Sequence, residues 1–95
     1  MSFLRDGAYI PGTTQNITTS GSSQQSSVVD NYIARISVTQ DTYVAIGENP
    51  TASTSSMLIP AGGVEFFATT PSETKIAVLQ VSEAGIASVT ALGDR

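Results

Sequence analysis

The feature that most constrains this chain is a period of two that starts near Val28 and runs almost to the end. Tyr32, Ala34, Ile36 and Val38 fall on one face of an extended segment, with Ile33, Arg35 and Ser37 on the other. Side chains alternate across a strand, so this pattern reads as β-structure and not as helix. Tyr43–Gly47, Met57–Ile59, Val64–Ala68, Lys75–Val81 and Ile86–Leu92 carry related patterns. Between them stand turn formers: Gln40-Asp41, Asn49-Pro50, Pro60-Ala61-Gly62-Gly63, Thr70-Pro71-Ser72 and Ser82–Gly85. About six short strands, with turn signals every 8–12 residues or so, predict an all-β fold: a small antiparallel β-sandwich or barrel. Taken as inward-facing, Ile36, Val44, Ile46, Phe66, Val78, Val81 and Val89 form the expected core.

The first 27 residues read differently. Between Gly12 and Ser27 the only large aliphatic residue is Ile17, among Gly, Ser, Thr, Gln and Asn. Such a stretch buries too little apolar area to offset its own ordering entropy. The expected division is therefore an extended N-terminal arm over 1–27 and a β-sandwich domain over 28–95. Phe3, Leu4, Tyr9 and Ile10 give the arm an apolar cluster, which predicts ordering against another subunit. A second candidate contact is the Glu48–Ser56 connection, polar except for Ala52, where Thr51, Ser53 and Ser55 offer hydroxyls. The plainer reading of that connection is a solvated, mobile loop.

Composition narrows the chemistry. The chain holds no Cys, His or Trp, which excludes disulfide scaffolds, zinc fingers and Cys- or His-based catalysis. Ser and Thr make up 25 of 95 residues, and the net charge is −4. The cations Arg5, Arg35, Lys75 and Arg95 are dispersed and form no phosphate-tracking stripe, so no nucleic-acid partner is expected. No apolar run reaches the roughly 18–20 residues of a membrane span, and the start lacks the pattern of a secretory leader. The carboxylates are scattered, with none of the close spacing of a calcium loop. Gly62-Gly63 reads as a tight turn needing positive φ and not as a phosphate loop. The expectation is a protein that works by contact, with no catalytic residue, metal or cofactor. A carbohydrate-binding module would need exposed planar aromatics on one face, for which Tyr43 and Phe67 are the candidates.

Several segments resemble small virion proteins of tailed bacteriophages. They are Thr42–Ala52, the Ser-Ser-Met-Leu-Ile-Pro-Ala-Gly stretch at 55–62, Val64-Glu65-Phe66-Phe67, and Lys75–Val81 after a Pro-containing turn. The resemblance covers roughly Ile33 to Leu92 and implies a structural component of the particle. A capsid decoration (cement) protein would bind the major capsid protein or other virion subunits and self-associate. It would reside in the virion capsid, and in the host cytoplasm during assembly. The alternative within the particle is a neck, tail-adaptor or tail-knob subunit. The resemblance implies no catalytic residue.

Overall fold

The computed structural model describes residues 10–93. Eight strands follow one another: β1 (Ile10–Thr18), β2 (Gln24–Gln25), β3 (Ile33–Val38), β4 (Thr42–Gly47), β5 (Met57–Ile59), β6 (Val64–Ala68), β7 (Lys75–Gln80) and β8 (Ile86–Gly93). They form two four-stranded sheets, ordered β1-β8-β3-β6 and β2-β7-β4-β5. Every neighbouring pair is antiparallel. β1 pairs with β8, β2 with β7, β3 with β6 and β4 with β5. The first half of the chain is thus laid against the second half and wound across two sheets, which is the strand order of a jelly roll.

The core lies between the sheets. Ala34, Ile36 and Val38 of β3, Ala87, Val89 and Ala91 of β8, and Val44, Ile59, Ile76 and Val78 of the other sheet are buried together. Val29, on the β2–β3 connection, joins them, and Ile17 and Phe67 pack against the cluster partly buried. The alternation read from the sequence therefore sets which face of β3 and β8 points inward. On β8 the outward residues are Ile86, Ser88, Thr90 and Leu92.

Two expectations are corrected. Residues 10–27 are not an arm separate from the domain. β1 runs antiparallel to β8 along most of its length, with a bulge between Pro11 and Thr14. β2 pairs with β7, and Thr19 and Ser26 are buried. Hydrogen bonds replace apolar area as the ordering force: Thr19 N donates to Gly85 O at 2.8 Å, and Ser26 N to Ile76 O at 2.7 Å. The Ser26 hydroxyl in turn accepts Ile76 N at 2.9 Å.

The second correction concerns the core. Ile36, Val44, Val78 and Val89 are buried as expected, but Ile46, Val81 and Phe66 are exposed, Phe66 by 54%. Pairing with β3 sets Ala34 opposite Phe67 and Ile36 opposite Glu65, so β6 turns Phe67 inward and Phe66 outward. β6 is an edge strand, and the Glu65 carboxylate, though on the inner face, remains exposed. The apolar pattern Val64-Phe66-Ala68 pointed to the opposite face because it treats an edge strand like a central one.

The β5–β6 turn confirms the need for glycine. Gly62 has φ of +79°, where a side chain is strained. A Cβ on Gly63 would lie 2.8 Å from Pro60 O.

Candidate interaction surface

The predicted contact residues do not gather at one place. Phe3, Leu4 and Tyr9 lie outside the described residues. Ile10 opens β1 opposite Gly93 and is exposed. Thr51, Ser53 and Ser55 are exposed on the β4–β5 connection, while Pro50 and Ala52 are buried.

That connection is tied down. Gln25 Nε2 donates to Asn49 Oδ1 and to Pro50 O, both at 2.8 Å, and Ala52 N donates to Ser23 Oγ at 2.9 Å. The partners belong to the β2 segment, which lies beyond β7 from β4. The loop therefore crosses the outer face of β7, where the outward-facing Ala77 is fully buried. Its tip closes on itself, with Ser56 N donating to Ser53 O at 2.9 Å and Ser53 N to Ser56 Oγ at 3.0 Å. The loop thus presents Thr51, Ser53 and Ser55 from a fixed backbone.

The topology creates two contrasting sides. β5 and β6 border one side of the sandwich and β1 and β2 the other. At the β5–β6 side, Met57, Leu58, Val64 and Phe66 are exposed by 39–54%. Leu58 continues an outer row with Tyr43 and Leu79, whereas Phe66 lies beside Arg35 on the outer face of the opposite sheet. Sequence reasoning placed these residues in strands but missed their exposure, because strand order is not written in the alternation. The short length of Met57–Ile59, bounded by Ser-rich and Pro-Gly segments, is the one signal of an edge.

At the β1–β2 side the strand residues from Pro11 to Thr18 and Gln24–Gln25 are mostly polar and carry no charge. The Gln15 side chain bridges the two edges: Ser27 N donates to its Oε1 at 2.7 Å, and its Nε2 donates to Ser27 O at 3.2 Å. Across the outer face, Thr14 Oγ1 and Thr90 Oγ1 share a hydrogen bond of 2.8 Å, and Ser88 Oγ donates to Asn16 Oδ1 at 2.6 Å. Beside the β1 bulge is a cleft of about 450 Å³, lined by Gly12, Thr13, Gln15, Ser27, Asp30 and Asn31 among others.

The carboxylates stand apart. Asp30, Asp41, Glu48, Glu65, Glu73 and Glu83 are all exposed. Asp41 Oδ1 accepts Ala61 N at 2.8 Å, pinning the β5–β6 turn, and Asp30 Oδ1 accepts Ser72 Oγ at 3.3 Å. Among the described residues no three metal-ligating side chains gather. Among the same residues no helix is long and apolar enough to cross a membrane. Tyr43 and Phe67 do not share a face: Tyr43 points outward from one sheet, and Phe67 points inward from the other. Comparison with protein-family models, curated proteins and solved structures finds no match.

Proposed function

We propose that this chain is a non-enzymatic structural subunit of a tailed-bacteriophage particle, a decoration or cement protein that binds the major capsid protein through its β5–β6 side. The observation that carries this reading is the exposure of Met57, Leu58, Val64 and Phe66 along that one side. Large apolar side chains exposed at sheet edges are typical of surfaces that a partner covers, here on the outer faces of both sheets. The jelly-roll order adds support by analogy only, since this architecture recurs in viral capsid domains and in lectins alike.

The binding mechanism is distributed burial. Each copy covers a modest apolar area on the shell, and the fixed Thr51, Ser53 and Ser55 hydroxyls add polar contacts at the outer face of the second sheet. Repetition over a symmetric shell multiplies weak single contacts into firm reinforcement.

The test is quantitative mass spectrometry of purified particles from a host culture carrying the gene, combined with immunogold labelling. A decoration role gives label over the whole head and on the order of hundreds of copies per particle, as shell symmetry requires. About six to twelve copies at one vertex would move the protein to the neck or tail. Its absence from washed particles would overturn the reading.

A further inference from the structure

The four sheet edges are not protected alike. β5 is three residues long and β2 is two, too short to template a partner strand. β6 holds the charged Glu65 on its inner face, a common guard against edge pairing. β1 is nine residues long, and from Ile10 to Thr18 it carries no charge. Pro11 and the bulge blunt only its beginning.

The hydrogen-bond phase of β1 is set by its end. Thr19 N donates to Gly85 O, so the pairs that bond to β8 are Thr19–Gly85, Ile17–Ala87 and Gln15–Val89. The other side of β8 agrees: Thr39 N donates to Ile86 O, placing the even-numbered residues of β8 toward β3. The main-chain N–H and C=O groups of Thr14, Asn16 and Thr18 therefore face away from β8, along an edge that no other described strand covers. All three residues are exposed.

We infer that β1 is a homodimerisation edge: Thr14–Thr18 pairs antiparallel with the same segment of a second copy, about a two-fold axis at Asn16. A second copy is the favoured occupant because the segment is self-complementary under that axis. Thr14 comes opposite the Thr18 of the other copy, a cross-strand pair that stabilises sheets. Asn16 comes opposite itself, and about six main-chain hydrogen bonds form without an unmatched group. Two subunits that each carry a net charge of −4 meet along a segment that contributes none of it. The outer-face rows Thr14–Thr90 and Asn16–Ser88 then continue across the axis, joining two four-stranded sheets into one.

A strand edge alone buries less than a standard interface, so the dimer is a concentration-dependent one. This inference rests on the backbone of β1 and not on the virion reading. It stands or falls with the free protein in solution.

The experiment is sedimentation equilibrium of the full chain from about 10 μM to about 1 mM, the range in which small interfaces associate. The weight-average mass should climb from 9.8 kDa toward twice that value. Asn16→Pro removes an N–H that β8 does not use, so the fold is kept while the edge is blocked. Asn16→Lys sets like charges opposite each other at the axis. Both variants should stay at the monomer mass over the whole range and remain folded, losing only the exposed Asn16–Ser88 hydrogen bond. Phe66→Asp, on the other side of the molecule, should leave the dimer intact. A native chain that remains monomeric at about 1 mM would overturn the inference. So would a dimer that persists in either folded Asn16 variant, or one lost only with Phe66→Asp.

Discussion

The two sides of this sandwich close in different ways. At the β5–β6 side the chain turns through Gly62-Gly63, and main-chain bonds seal the corner, with Gly62 N donating to Val38 O and Gly63 N to Pro60 O. Large apolar side chains there face out. At the β1–β2 side a side chain, Gln15, does the sealing by imitating a strand partner for Ser27. There the polar side chains are consumed, and main-chain groups are left over. One side is fitted to a partner by apolar burial and the other by strand pairing. Both leave a sheet edge to be covered, but with unlike chemistry.

The largest expected effect separates the β5–β6 side from the core. Ile36→Ala, at a fully buried site, should cost about 2–5 kcal/mol in chemical denaturation. Phe66→Ala, half exposed at the edge, should cost about 1 kcal/mol or less. Equal losses would mean that the β5–β6 side is part of the core and not a surface.

Next comes the double variant Leu58→Asp, Phe66→Asp. It should weaken particle binding by more than about tenfold, the scale of losing anchor residues from an interface. Its denaturation midpoint should stay close to native. Thr18→Lys, on the other side, should leave particle binding within about twofold of native, as a remote surface charge does. Equal weakening by both would erase the division of labour between the sides.

Gln15→Ala sharpens the contrast from the polar side. Losing two partly solvated hydrogen bonds should cost about 0.5–1.5 kcal/mol. Hydrogen exchange at the Ser27 amide should speed up while that at Gly62 stays slow. A uniform acceleration would show that the stitch is global and not local.

The smallest effect is that of salt. Particle binding through Met57, Leu58, Val64 and Phe66 should change by less than about threefold between low and high salt, because screening acts on charges. A steep salt dependence would assign binding to Arg35 and Glu65 instead.

Much of the architecture was legible. β3 to β8 fall within a residue or so of the segments marked by alternation and turn formers, because side chains on a half-buried strand must alternate. The glycine turn was legible too, since few residues other than Gly tolerate the φ of Gly62. β1 and β2 were not. Their ordering comes from main-chain bonds to β8 and β7, and a backbone donor carries no residue-specific signature. The pinned β4–β5 connection was hidden for a related reason: its partners Ser23 and Gln25 lie far away along the chain and became neighbours only through sheet order.

The sequence by itself determined that this chain would be all β, where its later strands would lie, and which faces of β3 and β8 would be apolar. Those are local properties, imposed by the two-residue repeat of a pleated backbone and by residues that fit only turns. Tertiary structure alone decided which strands became edges. That assignment turned Phe66 outward and Phe67 inward, ordered a Ser/Thr-rich leader that could not bury its own surface, and left the main-chain groups of Thr14, Asn16 and Thr18 on an open edge. Edge and centre differ only in what lies alongside, and that is set by pairings between residues distant in the chain.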